Sequence, residues 1–335
     1  MNGILLSYII PLYNTETYIL RCLQSLVNQG FEPEEYEAIV VDDGSTDSGK
    51  SVVQSFAAQH PQVRLICQQN AGVSAARNVA IDAARGRYIQ FVDSDDYLVE
   101  GMMPPLLNRA MDESLDVLEF NYDCVDIKGQ PIPHVRDDNY PSTVVMTGVD
   151  YLGNHSMTPY VWRFLIRRDY LVHGGWRFNP SLIVCEDGAL IADFMLNAAR
   201  VAHDETAPYC YVNRGDSAMH NPDRDHLRRR IFSQVDAAVS IDKSISAFQA
   251  ASGKQAPPSV AGVRNVYLYF SMTKALTCGL VDEVLDRIRQ AGLYPFPCVG
   301  PEANYYGTKW KVIHWVMMRP RLWAFLSKIY RMIKK

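Results

Sequence analysis

From residue 4 to about 122, short apolar runs alternate with segments whose apolar positions recur at helical spacing. The runs are ILLSYII (4–10), YEAIVV (36–41), VRLIC (63–67), RYIQFV (87–92) and LDVLEF (115–120). Between the first two, Ile19, Leu20, Leu23, Leu26 and Val27 fall on one helical face. Between the third and fourth, the Ala-rich VSAARNVAIDAAR leads to Gly86, a usual helix stop. Strand, helix and strand in short succession predict βαβ units around a mostly parallel sheet flanked by helices, an α/β fold of Rossmann-like character. From 123 to 215 the alternation loosens, through a KGQP turn, a Pro- and Asp-rich stretch (131–141) and an aromatic run, PYVWRFLIRRDYL (159–171). From about 225 the pattern is helical (228–250 and 259–291, with a loop at 251–258), a C-terminal helical extension. The chain therefore divides at about 100, 224 and 308.

The last segment, 309–335, differs in kind. It carries eight Lys/Arg and no Asp or Glu, so the net charge of −4 resolves into −12 on residues 1–308 and +8 on the tail. After Pro320, Leu322, Phe325, Leu326, Ile329 and Ile333 share one helical face and Arg321, Lys328, Arg331 and Lys335 the other, with Trp323 and Tyr330 at the boundary. A basic amphipathic helix with interfacial aromatics predicts contact with an anionic membrane surface; the alternative is a helix docked on the body with its cations in water.

Composition narrows the classes further. The length of 335 residues allows one large α/β domain with an extension, or two domains. A hydrophobic share of 48% excludes wholesale disorder, and 33 Lys+Arg against 37 Asp+Glu give no electrostatic footprint for nucleic acid. Seven scattered cysteines without a CxxC pair predict neither a zinc site nor a disulfide framework. The opening MNGILLSYII lacks a basic n-region and reads as a buried strand, and no apolar stretch reaches the roughly 18 residues of a spanning helix. A cytoplasmic protein, peripheral on the inner membrane face, is the expectation; an oligomer is compatible with it.

Chemistry concentrates where strands end. Asp42 and Asp43 follow EAIVV, and Asp93, Asp95 and Asp96 follow RYIQFV, so both sets project from the carboxyl edge of the sheet, where ligands bind in open α/β folds. Two acidic clusters on one edge call for a cation, and oxygen-only ligands favour Mg²⁺ or Mn²⁺ carrying a phosphorylated ligand. Residues 44–51, GSTDSGKS, also satisfy the P-loop pattern, which would make the chain a phosphotransferase. Against it, Asp42, Asp43 and Asp47 crowd with negative charge the loop whose backbone N–H groups would have to hold phosphate.

Four segments in order, SYIIPLYN (7–14), VDDGSTD (41–47), QNAGVSAARNVAIDAARGRYIQFVDSDDYL (69–98) and CEDGALI (185–191), resemble the signatures of family-2 inverting glycosyltransferases of the GT-A fold. The similarity is to bacterial enzymes of capsular, exopolysaccharide and lipopolysaccharide synthesis. It covers residues 4–215. The resemblance implies a nucleotide-sugar-binding half (1–100), an acceptor-binding and catalytic half (101–224), and a metal-dependent transfer from a UDP-sugar to a lipid-linked or polysaccharide acceptor. It places Pro11, Tyr13, Asn14 and Glu16 around the nucleoside, with Asp43 accepting from the uracil ring and Asp42 supporting it. Asn70, Gly72 and Arg77 would follow the ribose and diphosphate. Asp93-Ser94-Asp95 would be the DxD motif, with Asp95 on the metal and Asp93 on the ribose, sugar or metal. Asp187 would be the catalytic base and Glu186 its support. His220 and Arg214 are candidates for the diphosphate, and His220 also for the metal. Trp162 and Trp176 are candidates to stack on an acceptor sugar, against the plainer reading of both as core anchors. A nucleotide-sugar-binding subunit without catalysis is the remaining alternative.

Overall fold

The apolar runs form strands because their side chains find cover on both faces. In the computed structural model, which describes residues 3–133, 139–214, 223–295 and 307–333, the first four runs become β1 (Leu6–Leu12), β2 (Tyr36–Asp42), β3 (Val63–Cys67) and β4 (Tyr88–Phe91). They pair in parallel in the order β3-β2-β1-β4. The helices between them are α1 (Glu16–Val27), α2 (Gly49–Ala57) and α3 (Val73–Ala83). Leu6, Tyr8, Ile10 and Leu12 of β1 pack with Ile19, Leu23 and Leu26 of α1 and Val53 of α2. The alternate face, with Ser7 and Ile9, meets α3.

The rest of the sheet adds antiparallel pairs to this parallel half. After β5 (Tyr97–Leu98), α4 (Met103–Asp112), β6 (Val117–Val125) and α5 (Gly148–Asn154) come β7 (Phe164–Arg167), α6 (Arg168–His173), α7 (Glu186–Asn197) and β8 (Val201–Val212). The full order is β3-β2-β1-β4-β7-β6-β8-β5, with β7 antiparallel to both neighbours, β5 antiparallel to β8, and β6 parallel to β8. The sheet is mixed. The fifth run, LDVLEF, becomes the start of β6, whereas β7 and β8 escape pattern reading for physical reasons. Phe164, Leu165 and Ile166 are all buried, so β7 shows no alternation, and β8 is interrupted by the partly exposed Asp204, Glu205 and Thr206.

The chain forms two compact units, Met1–Tyr151 with Tyr160–Pro180 and Asn197–Ser217, and Leu152–Pro159 with Ser181–Leu196 and Ala218–Lys335. The second thus takes the Glu186-Asp187 segment, which the sequence places with the sheet, together with α8 (Arg224–Ser252), α9 (Pro258–Cys278), α10 (Val281–Gln290), α11 (Gly307–Met317) and α12 (Pro320–Ile333). The helix expected over 259–291 breaks at Gly279, which takes φ +75° and caps α9 in the left-handed region. α12 also departs from its predicted orientation. Trp323, expected at the boundary, is buried, and Ser327 Oγ donates to the Leu276 carbonyl of α9 at 2.9 Å. That leaves Phe325 58% and Met332 78% exposed. Among the described residues no helix is long and apolar enough to cross a membrane.

One buried charge sets the strand order at the amino end of the sheet. Glu37 of β2, its side chain 1% exposed, accepts from Ser7 Oγ at 2.8 Å, from the Arg85 backbone N–H at 2.7 Å, and from the guanidinium groups of Arg85 and Arg64 at 2.9 and 2.8 Å. Ser7 Oγ in turn accepts from the Gly86 N–H at 2.8 Å, and a side chain at Gly86 would meet the Ser7 nitrogen at 2.5 Å. The turn before β4 is thereby fixed against β1, which decides where Asp93 emerges at the other end. Burial pushes the Glu37 carboxyl up, but the hydrogen bonds from Arg85, Ser7 and Arg64 outweigh it and leave it below its ordinary value. A lowered carboxylate stabilises the fold above the unfolded value near pH 4 and loses that contribution as pH falls through the folded one. Glu37→Gln should therefore cost about 1–3 kcal/mol at pH 7. Denaturant unfolding should show the deficit shrinking toward pH 3; an unchanged deficit would contradict the charged role.

Candidate functional site

The carboxyl ends of β1, β2 and β4 meet where the strand order reverses, since the chain runs outward from β1 through β2 to β3 and then returns to the far side of β1 as β4. Two loops there are laced together by side chains. Asn14, in the left-handed region at φ 52°, accepts from the Thr46 N–H at 2.8 Å, and its own N–H donates to Ser45 Oγ at 3.2 Å. The Glu16 N–H donates to Asp47 at 2.8 Å while the Glu16 carboxylate accepts from the Ser48 N–H at 2.8 Å. The Ser48 hydroxyl, then its N–H, hold the Glu16 carboxyl below its ordinary value. Tyr13, 49% exposed, and the half-buried Pro11 stand beside this lip.

Asp43 organises a third loop. It is 3% exposed, and its oxygens accept from the N–H groups of Ala71 and Gly72, both at 2.8 Å, and from the Gln68 side-chain amide at 2.7 Å. That uses three of a carboxylate's roughly four acceptor positions. Its first task is thus to shape the 68–72 loop, and the uracil contact expected of it can draw only on what remains. Gly72, at φ +90°, starts α3, and Asn70 and Gly72 are exposed along that loop. Asp42 accepts from the Ser45 N–H at 3.1 Å and closes the turn beneath.

The turn after β4 carries Asp93, Ser94, Asp95 and Asp96. Arg77, buried on α3 with its guanidinium 5.1 Å above the Phe178 ring, pairs with Asp93 at 2.8 Å. Arg214 lies 5.2 Å above the Tyr18 ring and pairs with Asp95 at 2.7 Å. Ser94 Oγ shares a 2.8 Å hydrogen bond with Thr15 Oγ1, bridging the crevice between the ends of β1 and β4. Burial, and then the neighbouring Asp93 charge, raise the Asp95 carboxyl above its ordinary value, with Arg214 opposing. Asp96 is pushed up further, by burial and then by Asp95 and Asp93, although the Val212 N–H and the Tyr209 hydroxyl donate to it, both at 2.7 Å.

Asp93 and Asp95 offer only oxygen donors, and Asp95 remains short of positive charge even beside Arg214. This chemistry fits a hard divalent cation. Among the described residues no group of three or more His, Cys, Asp or Glu is placed to hold a metal ion. His220, the other residue proposed for the metal, lies outside the described residues.

Glu186 and Asp187 occupy the first turn of α7 in the second unit, half-buried. Their approach is tightly held. The Ile183 and Val184 N–H groups donate to Ser233 Oγ at 3.0 and 3.2 Å, and Cys185 adopts φ 64°, a conformation that a side chain rarely takes. A side chain at Gly188 would collide with the Tyr267 hydroxyl.

The two tryptophans do not serve as open platforms. Trp162 is 3% exposed, stacked on Tyr209 at 4.4 Å and on Tyr160 at 5.2 Å, with Tyr122 edge-on at 5.0 Å. Its turn is fixed by the fully buried Arg163, which donates to the Phe120 carbonyl at 3.1 Å and pairs with Glu119 at 3.4 Å. Trp176 packs edge-on against Tyr170 at 4.8 Å beyond α6, a helix that starts at the amino end of β4 and so at the edge opposite Asp93. Sequence reasoning missed Thr15 and Tyr209, and it named Asp47 and Asp96 only as part of the negative charge at this edge, without their partners. Asp96 sits in the DSDD run in plain view, but only pairing with a distant strand reveals its role.

The P-loop pattern at 44–51 is answered by geometry. The N–H groups of Ser45, Thr46, Ser48 and Gly49 donate to Asp42, Asn14, Glu16 and Asp47. The donors that such a loop turns to phosphate are taken by the protein's own oxygens.

With the site described, comparison places the chain among known proteins. The model of Glycosyl transferase family 2 matches residues 7–174. The uncharacterized glycosyltransferase YibD of Escherichia coli K12 is 35% identical over 230 residues, 67% of this chain and 64% of the relative's length. The poly(ribitol-phosphate) beta-glucosyltransferase of Bacillus spizizenii is 27% identical over 277 residues, 81% of this chain and 41% of the relative. In fold, the chain is similar to the crystal structure of S. aureus TarS 1–349 in complex with UDP-GlcNAc, with a TM-score of 0.71 at 21% identity, over 98% of this chain and 92% of that one.

Two substitutions separate the readings of this edge. Lys50→Ala should leave nucleotide binding within about twofold in isothermal titration, since the loop before it holds protein oxygens rather than phosphate. Asp43→Asn puts an amide NH₂ in place of one oxygen, against either the Ala71 or the Gly72 donor, and should cost about 1–3 kcal/mol of stability along with nucleotide affinity. The reverse ranking would restore the P-loop reading.

Proposed function

The chain belongs to glycosyl transferase family 2 and is a glycosyltransferase, and from that premise we propose that it moves a sugar from a UDP-sugar to a hydroxyl of a lipid-linked or polysaccharide acceptor in cell-surface polysaccharide synthesis. The observation that carries the reading is the Asp93-Ser94-Asp95 turn set at the crevice between β1 and β4, beside the lip of Tyr13, Asn14 and Glu16. The UDP-GlcNAc complex of TarS supports the choice of nucleotide, and the name of the B. spizizenii relative supports a polymer as acceptor.

In this reading Tyr13 and Pro11 border the nucleoside and Asp43 offers its remaining acceptor position to the base. Asn70 and Gly72 follow the ribose and diphosphate, and Arg77 orients Asp93. Mn²⁺ or Mg²⁺ would be held by Asp95 with Asp93, and when bound supplies positive charge to the departing diphosphate. Asp187 takes the proton from the acceptor hydroxyl. The new bond from that oxygen to the anomeric carbon forms as the bond to the diphosphate breaks on the opposite face, so the anomeric centre inverts. Glu186 positions Asp187.

The tail belongs to the same reading. Phe325 and Met332 on α12 and Val312 and Trp315 on α11 are exposed beside the exposed cations Lys311, Arg321 and Lys328, a surface suited to an anionic membrane and to an acceptor that is lipid-linked. The protein then works as a peripheral enzyme on the cytoplasmic face.

Both parts are testable. Asp187→Asn should lower turnover of a UDP-sugar by roughly 10²–10⁴-fold while UDP affinity holds, as loss of a base does. Asp95→Asn should abolish the Mn²⁺ dependence of UDP binding in calorimetry. Full transfer by both variants would reject the site. For the tail, the triple variant Arg321→Gln, Lys328→Gln, Phe325→Ser should sediment several-fold less with vesicles containing phosphatidylglycerol, at unchanged melting temperature; equal sedimentation would reject membrane contact.

A further inference from the structure

The rings around Trp162 form more than a core. Tyr160, Trp162, Tyr209 and Tyr211 lie nearly parallel, Trp162 being within 16° of Tyr160, 13° of Tyr209 and 12° of Tyr211. The stack is graded in exposure. Tyr209 is fully buried and Trp162 nearly so, Tyr160 is half-buried, and Tyr211, with its ring centre 5.9 Å from that of Trp162, is 36% exposed. Tyr209 and Tyr211 are two apart on β8 and therefore share a face of the sheet with Tyr122 and Cys124, their register partners on β6.

The buried end of this stack is attached to the carboxylate turn. The Tyr209 hydroxyl donates to Asp96 at 2.7 Å and accepts from the Asp93 N–H at 3.1 Å, and the residue after Tyr211, Val212, gives its N–H to Asp96 at 2.7 Å. A set of parallel rings that is fixed to the Asp93–Asp96 turn through Tyr209, and of which Tyr211 is 36% exposed, holds the Tyr211 ring at a defined position beside that turn. The Tyr211 hydroxyl is raised to about 12, by burial first and then by Asp96, so it stays protonated and able to donate.

We propose that Tyr211, backed by Trp162 and flanked by Tyr160, is a pyranose-binding subsite for the sugar acceptor, on which the C–H face of one ring stacks while the phenol hydroxyl donates to a sugar oxygen. This rests on the glycosyltransferase reading above and adds to it the place of the acceptor and the residue that holds it. A pyranose fits because one face of the ring presents C–H groups and its rim presents hydroxyls, which a flat ring with a polar tip satisfies together. The role first expected of Trp162 passes to the ring that Trp162 supports.

The test uses the full chain, with saturation-transfer difference NMR on maltose, cellobiose, lactose and N,N′-diacetylchitobiose in the presence of saturating UDP and Mn²⁺. The wild type should bind at least one disaccharide through its ring C–H protons. Tyr211→Ala should weaken that binding about five- to tenfold, the range expected for loss of one aromatic contact, whereas Tyr211→Phe should stay within about threefold. Unchanged melting temperature and UDP affinity in both variants report an intact fold and nucleotide site. Equal disaccharide binding by Tyr211→Ala, equal loss in Ala and Phe variants, or no disaccharide binding by a wild type that binds UDP would each overturn the subsite alone. A wild type that fails to bind UDP would overturn the reading beneath it as well, and the subsite with it.

Discussion

Asp93, Asp95 and Asp96 share a single turn, and three carboxylates at that spacing repel one another more strongly the less water surrounds them. Each is answered in a different way. Asp93 meets Arg77 from α3, Asp95 meets Arg214 just past β8, and Asp96 is held by the Tyr209 hydroxyl and the Val212 N–H of β8 itself. Much of the first unit follows from supplying those partners. The strand β8 has to run past the end of β4, which the mixed half of the sheet allows, and Phe178 has to lie under Arg77, where Asn78 brackets its backbone at 2.8 and 3.0 Å.

The same logic operates at the amino end of the strands, where Glu37 gathers Ser7, Arg64 and Arg85 and so fixes the turn before β4. The site is thus held from both ends of one strand. Glu37 determines where β4 begins, and the arginines and Tyr209 determine how the turn after it lies. Between them the loops after β1 and β2 are joined by Asn14, Glu16 and Asp47, so the edge proposed for the nucleotide is ordered by the protein's own side chains. Such preorganisation spares the ligand the entropy of ordering three loops.

Sequence alone gave good sight of what is local. The runs that became β1 to β4, the helices between them and the carboxylates at their ends are all set by near neighbours in the chain. Contacts across long separations were hidden. Nothing in DSDD distinguishes Asp96 from its neighbours until Tyr209, 113 residues away, reaches it. Asp43 reads as a ligand-facing acid because its partners at 68, 71 and 72 are not visible as a loop that needs one. The P-loop pattern is a decoy for a related reason, since a short motif records spacing but not which donors are already taken. In the tail, periodicity found the amphipathic helix but not the face that docks, because Trp323 and Ser327 are chosen by α9.

The central claim is that this edge binds a uridine diphosphate through a metal held by Asp95 and Asp93. Isothermal titration of the intact chain with UDP and with ATP, each with Mn²⁺ and again after EDTA, addresses it most directly. UDP binding that needs Mn²⁺, with ATP at least tenfold weaker, is the predicted result. Equal binding of the two nucleotides, or UDP binding indifferent to EDTA, would contradict it.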